Sequence, residues 1–395
     1  MATPLRPSHY LELVHPLWGT HHLQARVESV WDETSDARTL TLRPGRGFRA
    51  HRAGQHVRVG VVIGGRRMTR TYSISSSPDR ADGCFTITVK TFEDARVSRY
   101  LVREAAPGTL LSIGQPQGDF RLPDATPVRP LFITAGSGIT PIMSMLRTFA
   151  LRRAMPDAVH IHYAPHARDV IFGAELERLA KAEPQYRLHT IFTRDAPRTT
   201  SAVAEPTRDV TGTTSAVAES ARSVAEPTSA VAEPTRGVAE TTRDATRRAR
   251  HFSEHQLEHL CPDWHTRDVW ACGPQSLLDA LGAHFARAGR AAHFHVERFT
   301  AKLAELPADA AGGTVRFCKS GVEARADGKK ALLRVAEDAG IAAPHGCRMG
   351  VCHTCDATLI AGSVRDLRSG LELDEPGTRV QLCVAAAAGN VEIEL

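Results

Sequence analysis

The chain has 395 residues, of which 42% are apolar, and a formal net charge of +5 carried far more by Arg than by Lys. That length predicts two or three domains with real cores, and basic residues spread along the chain rather than gathered in a patch argue against nucleic acid as a partner. No run of about 18 apolar residues occurs, so no membrane span is expected, and the N-terminus lacks the basic-then-apolar order of a secretory leader.

After an N-terminal extension (1–21), residues 22–124 hold short alternating runs, among them HLQARVESVWDE, RTLTLRP, HVRVGVVIGG, FTITVK and TLLSIG. Turn signals such as PGRG and DRADG separate them, and many short strands at this pitch predict an antiparallel β-barrel. The texture changes across 125–300. PLFITA, AVHIHYA, YRLHTIFT and DVWACGP read as buried strands, and MSMLRTFALRRAM, AELERLAKAE and QSLLDALGAHFARAG read as helices between them. Strands alternating with helices predict a parallel, doubly wound α/β domain. Residues 196–250 interrupt it with repeats of the type SAVAEPTR. Each unit offers only a Val to bury, which favours a low-complexity surface insert over a solenoid, with a tether as the functional alternative. A linker (301–312) leads to a last segment, 313–395, with a hairpin, one helix and terminal strands. This is the make-up of a small α+β domain of β-grasp type.

The densest chemical signal lies in that last segment. Cys347, Cys352 and Cys355 form C-x4-C-x2-C, and 27 residues separate Cys355 from Cys383. Plant-type ferredoxins hold a [2Fe–2S] cluster on four thiolates at this spacing. A four-cysteine zinc site is the rival, but zinc usually takes two close pairs, whereas here three cysteines share one loop. His345 and His353 flank the loop and are candidates to tune a cluster, while a Rieske centre fails because all four cysteines are present. Cys84, Cys261, Cys272 and Cys318 are scattered and expected to be reduced, which fits a cytoplasmic protein.

Upstream, Gly136-Ser137-Gly138-Ile139-Thr140-Pro141 follows a predicted strand and opens a predicted helix. The glycines let the backbone approach a phosphate, Pro141 suits the first helical turn, and the helix N-terminus favours an anion. The third glycine of a full G-x-G-x-x-G is replaced by Pro141, so the setting carries the reading more than the string. Cys272-Gly273-Pro274 ends another strand on the same edge.

With Arg70-Thr71-Tyr72-Ser73 and the stretch Pro116 to Phe120, this order of motifs resembles the ferredoxin–NADP reductase superfamily. The likeness extends to its single-chain members with a C-terminal [2Fe–2S] domain and covers nearly all of 22–395 apart from the insert. The resemblance implies bound FAD, with FMN as the alternative. It gives Arg70 the flavin phosphates, Tyr72 the ring face and Ser73 a hydrogen bond near N5, with Thr71, Lys90 and Ser98 as further flavin contacts. Ala95-Arg96-Val97 stand where many relatives have glycines before the serine, which leaves the pyrophosphate contacts open. Packed strand residues are the plain alternative for Arg70 and Tyr72. It further implies that Ser137, Thr140, Gly273 and Pro274 belong to an NADPH site (NADH being the alternative), with Cys272 beside the nicotinamide or simply a structural thiol. Arg168 and Arg194 are candidates for a ribose 2′-phosphate, and Phe299 either covers the flavin or packs in the core. The expected activity is electron transfer from NAD(P)H through flavin and cluster to an external acceptor. HYLELVHPLW and the barrel text resemble reductases of membrane fatty-acid desaturases, with a Rieske-type ring or steroid hydroxylase as the alternative acceptor. A non-catalytic iron–sulfur carrier or redox sensor is the rival class, and a monomer is expected.

Overall fold

The computed structural model describes residues 16–18, 23–92, 95–125, 127–194, 200–201, 252–299, 303–304, 306, 310–345, 348–350 and 353–395. The repeat at 196–250 falls outside them apart from the backbone of Thr200 and Ser201, as do most of the linker and the cysteines Cys347 and Cys352. Among the described residues no helix is long and apolar enough to cross a membrane.

Strands β1 (Gln24–Thr34), β2 (Ala37–Pro44), β3 (His56–Ile63), β4 (Arg66–Ser73), β5 (Phe85–Lys90) and β6 (Leu110–Ile113) pair antiparallel in the order β4-β3-β6-β1-β2-β5. A bridge between Ile74 and Ile87 brings the two edges together, so the sheet curls into the expected barrel. In β2 the period-2 pattern sends Leu40 and Leu42 into a core with Val27, Val57, Val59 and Ile87. Full burial of such a side chain contributes about 1.5–3 kcal/mol. Helix α1 (Arg96–Arg103) adds Val97, Leu101 and Val102 to the same core.

The second domain runs β7 (Pro130–Ala135), α2 (Ile139–Leu151), β8 (Ala158–Ala164), α3 (Gly173–Ala182), β9 (Tyr186–Phe192), β10 (Thr200–Ser201), α4 (Glu254–Leu260), β11 (Asp268–Cys272), α5 (Gln275–Arg287) and β12 (Phe294–Glu297). Its sheet order is β10-β9-β8-β7-β11-β12, parallel except for β10. Both faces are covered. Phe132 of β7 packs into the core under α2, while its neighbours Leu131 and Ile133 pack into the core beside α5. Strand order reverses between β7 and β11, and a crevice at such a switch point is where open α/β sheets bind ligands.

α2 also fixes how the barrel meets this sheet. Ser144 Oγ donates to Ser76 O (2.6 Å), Arg147 Nη1 to Ser75 O (2.8 Å) and Thr148 Oγ1 to Ser77 Oγ (3.1 Å), while Arg152 pairs with Asp79. One helix therefore points its N-terminus at the crevice and grips the residues just beyond β4 with its flank.

A buried polar chain crosses the same sheet. Thr134 Oγ1 lies 2.8 Å from both His160 Nε2 and His162 Nδ1, and His160 Nδ1 lies 2.7 Å from the Tyr186 hydroxyl. Burial pushes His162 down to about 4; His160 is driven well below its usual range by burial and then by His162 and His189. Both are neutral in the fold and take up protons more readily once unfolded. Stability therefore falls as pH drops below the unfolded value near 6.5. His162 alone accounts for a loss of about 2 kcal/mol at pH 5 and about 3 kcal/mol at pH 4. Urea midpoints measured from pH 7 to 5 check this, and a flat profile contradicts it.

The third domain comprises β13 (Gly313–Phe317), β14 (Val322–Ala326), α6 (Leu332–Asp338), β15 (Asp356–Asp366), β16 (Glu372–Leu373), β17 (Arg379–Gln381) and β18 (Ala385–Ile393). The sheet order is β14-β13-β18-β15-β16, with β13 and β18 parallel and β17 paired to β15. α6 buries Leu332, Leu333, Val335 and Ala336 in a core with Phe317, Leu359 and Ile393, the small mixed sheet with one helix that was expected.

Candidate functional site

The end of β4 opens into a cavity of about 240 Å³ lined by residues from all three domains. Arg70, Thr71, Tyr72 and Ser73 form one wall, Lys90 and Ser98 another, and Ser137 and Thr140 come from the start of α2. Phe299 reaches in from beyond β12, and Met349 from the cysteine loop. Ser98 sits on α1 with its hydroxyl 3.0 Å from the Tyr72 hydroxyl. Burial pushes the Tyr72 phenol up to about 12, against the opposing pulls of that hydrogen bond and of Arg70. Tyr72 also packs against the barrel core, so the packing and ligand readings of this residue coexist. Lys90 Nζ is 3.1 Å from Asp36 Oδ2, which holds the ammonium at the rim.

A second cavity, of about 640 Å³, lies over the switch point of the parallel sheet. Gly136, Ser137 and Gly138 after β7, Tyr163 to Pro165 at the end of β8, Thr193 after β9 and Gly273 and Pro274 after β11 line it. The two cavities share Lys90, Phe92, Ser137 and Phe299, so they are one continuous site with a common wall.

The two glycines of the turn have different tasks. Gly136 has φ +52° and open space where a Cβ would go, as a phosphate cradle requires. Gly138 is helical, and a Cβ there would come within 2.1 Å of the Cys272 carbonyl oxygen. While lining the cavity it also packs α2 closely against the end of β11. Thr140 Oγ1 donates back to Ser137 O (3.0 Å), and Pro141 sits in the first turn of α2.

Other expected residues stand further off. Cys272 is fully buried, lines neither cavity, and has its thiol pushed well up by burial, with Glu297 adding to the effect. Arg168 and Arg194 are exposed and line neither cavity. Arg194 follows the lining residue Thr193 directly, and its N–H donates to Pro165 O (3.1 Å), which ties the β9 loop to the β8 loop. In the third domain Cys355 is buried and Cys383 half-buried. In the described part of the cysteine loop Gly350 has φ +70°, and its carbonyl accepts from Arg368 Nη1 (2.9 Å). His345 Nδ1 lies 3.0 Å from Ala343 O and His353 Nδ1 3.1 Å from Asp356 Oδ2.

Reading the sequence missed His56, Phe92, Glu297 and Met349. His56 Nδ1 lies 3.5 Å from Glu297 Oε1, both side chains 16% exposed on the first cavity's wall. Glu297 was within reach, being two residues before Phe299 in the same motif. His56, at the opening of an ordinary strand, carried no signal.

Three matches to known families follow the same order. Residues 25–122 match the oxidoreductase FAD-binding domain, 132–230 the oxidoreductase NAD-binding domain, and 315–388 the 2Fe-2S iron-sulfur cluster binding domain. An NADPH oxidoreductase of Mycobacterium tuberculosis is 38% identical over 100% of this chain and 90% of its own. The glycine betaine monooxygenase reductase subunit of Chromohalobacter salexigens is 28% identical, covering 95% of this chain and 96% of its own. Phthalate dioxygenase reductase, described as a modular structure for electron transfer from pyridine nucleotides to [2Fe–2S], shares the fold at TM-score 0.56 and 20% identity, over 95% of this chain and 98% of that one. Fold and site thus define an electron-transfer reductase with flavin, nicotinamide and iron–sulfur modules in one chain. The chain belongs to the ferredoxin–NADP reductase superfamily, among the members with a C-terminal [2Fe–2S] domain.

The residues present suit these groups. Arg70, Lys90 and three hydroxyls offer cationic and hydrogen-bonding partners to a flavin nucleotide. The open left-handed turn at Gly136 accepts a diphosphate, and buried Cys355 with Cys383 supplies soft thiolate donors.

Proposed function

We propose that the chain takes electrons from NADPH and delivers them to the oxygenase component of a Rieske-type hydroxylase system. The observation that carries the series is the shared wall. Lys90, Phe92, Ser137 and Phe299 belong to both the nucleotide cleft and the flavin cavity, and Met349 brings the cysteine loop to the flavin side. When bound, the flavin accepts a hydride's two electrons and the cluster passes them on singly. For the acceptor, relatives aligned over most of this chain include monooxygenase and demethylase reductase subunits, and these favour the hydroxylase over the desaturase expected from sequence.

In this reading Arg70 and Lys90 hold the flavin phosphates, with Lys90 exchanging Asp36 for them, and Tyr72 holds the ring with Ser98 fixing its hydroxyl. Ser73 and Thr71 donate at the ring edge, and the half-buried His56–Glu297 pair closes the cavity wall. Gly136, Ser137, Thr140, Pro141 and the α2 N-terminus orient the nucleotide diphosphate against Gly273 and Pro274. Arg194 and Arg168 recognise the 2′-phosphate, Phe299 covers the shared wall and excludes water, and Cys272 backs the site from within the sheet. Cys347, Cys352, Cys355 and Cys383 hold the cluster.

Tyr72→Phe removes one hydroxyl from the Ser98 contact, worth about 1 kcal/mol. FAD affinity measured by fluorescence is expected to fall about fivefold with the spectrum otherwise unchanged; unchanged affinity separates the hydroxyl from flavin binding. The deciding experiment is a visible spectrum of the purified protein followed by anaerobic titration with NADPH and with NADH. Flavin and cluster bands that bleach faster with NADPH support the proposal, and a protein without flavin bands overturns it. Turnover with purified hydroxylase and desaturase components then chooses between the two acceptors.

A further inference from the structure

Described residues of the cysteine loop reach the barrel side. Met349 lines the flavin cavity, and Thr354, the residue directly before Cys355, accepts a hydrogen bond through Oγ1 from Arg58 Nη1 at 3.2 Å. Arg58 is on β3, where it stands in register with Thr71 of the cavity-lining strand. Its seat is tight. The Arg58 carbonyl accepts the Gly114 N–H (2.8 Å), and a Cβ on Gly114 would lie 3.2 Å from Arg58 Nε. Nε itself is buried and has no hydrogen-bond partner among the described residues. A guanidinium held part-desolvated in this way keeps its remaining donors strongly directed, and the one aimed across the domain boundary ends on the cysteine loop.

We propose that Arg58 is the positioning residue for electron transfer inside the chain: it docks the cysteine loop on the flavin barrel and so sets the separation across which the reduced flavin loses one electron and the cluster gains it. The inference rests on the flavin-to-cluster order proposed above. Arg58 touches neither redox group, and its effect runs through Thr354. The balance of the overall reaction is unchanged: each NADPH gives two electrons and one proton, and two one-electron acceptors are reduced.

The holoenzyme carrying Arg58→Ala, Arg58→Lys or Thr354→Val is compared with the unaltered chain by anaerobic stopped flow with NADPH and by small-angle scattering. Loss of one charge-assisted hydrogen bond lowers the docking equilibrium constant about tenfold, so the docked population falls by up to that factor. Cluster bleaching and cytochrome c reduction are therefore expected to slow by up to about tenfold in Arg58→Ala and Thr354→Val, with Arg58→Lys recovering most of the rate. Flavin bleaching by NADPH and ferricyanide reduction, which need no cluster, stay unchanged, and the scattering radius of the alanine variant increases. Combining Arg58→Ala with Thr354→Val is expected to add nothing to either alone. The proposal is overturned by unaltered cluster bleaching and scattering, or by Arg58→Ala losing flavin while Thr354→Val behaves as the parent. If the parent chain itself passed no electrons from flavin to cluster, the functional reading would fail, whereas scattering would still report on the docking contact.

Discussion

Arg267→Ala is expected to lower the stability of the nucleotide domain by about 3 kcal/mol, the low end of what breaking a buried ion pair costs. Arg267 is 0% exposed, lies just before β11, and spans two carboxylates. Nε and Nη2 donate to Asp263 (2.9 and 2.8 Å), Nη2 also to Asp157 (3.0 Å), and Nη1 to the Asp157 carbonyl (2.6 Å). The cluster ties the lead-in to β8 to the lead-in to β11, at the end of the sheet away from the site. Hydrogen bonding from Arg267 is the largest influence holding the Asp263 carboxyl well below its usual range, with burial opposing it. That carboxyl's depressed value contributes stability above pH about 4 and loses it on acidification. The cost of the alanine stays at the low end because Asp157 and Asp263 are 40% and 29% exposed, and Arg129 and Arg187 still face them. Arg267→Met, which keeps the packed stem, should recover much of the loss. A thermal melt checks both: a drop of about 6–12 °C is expected for the alanine variant, and a drop under about 2 °C would show that the remaining arginines carry the cluster.

The three-domain order was legible because each domain has its own periodicity. Alternation of two marks the barrel strands, continuous apolar runs such as AVHIHYA mark strands covered on both faces, and the cysteine spacing marks the last module. Helix α1 was not legible. Arg96, Arg99 and Arg103 dilute its apolar stripe, so only the tertiary contacts of Val97, Leu101 and Val102 reveal why it is helical. The ends of β4, β7 and β11 were found because glycine, proline and hydroxyl residues cluster at turns that must leave a sheet sharply. The meeting of His56 with Glu297, or of Arg58 with Thr354, joins residues 241 and 296 positions apart, and no local pattern encodes it. Gly138 lies between these cases. Its place at a strand-to-helix turn was legible, whereas its packing against Cys272 depends on a strand more than a hundred residues later.

Gly138→Ala carries the largest expected effect on the reaction. Gly138 has φ −62°, an ordinary helical value, so intrinsic propensity favours alanine there by about 1 kcal/mol. Contact decides the other way. The new Cβ would sit 2.1 Å from Cys272 O, 2.5 Å from its carbonyl carbon and 2.8 Å from Gly273 N, all of them backbone atoms of β11 and the turn after it. Relief needs a shift of about 1 Å between the N-terminus of α2 and that turn, both of which line the nucleotide cleft. Misplacement on that scale costs about 100-fold in a step that depends on alignment. Anaerobic flavin bleaching by NADPH is expected to slow by about that factor, with flavin largely retained through the Arg70 to Ser73 wall on β4, which the substitution does not contact. Gly136→Ala offers the contrast. Its Cβ meets no protein atom within 4 Å and its φ of +52° costs about 1–2 kcal/mol of backbone strain, but the methyl group enters the space of the diphosphate cradle, so weaker NADPH binding is expected there rather than a displaced helix. The two neighbouring substitutions therefore separate by mechanism. If Gly138→Ala reduced its flavin as fast as the parent, α2 and β11 would have room to move apart without disturbing the cleft, and the shared wall of Lys90, Phe92, Ser137 and Phe299 would not depend on their contact.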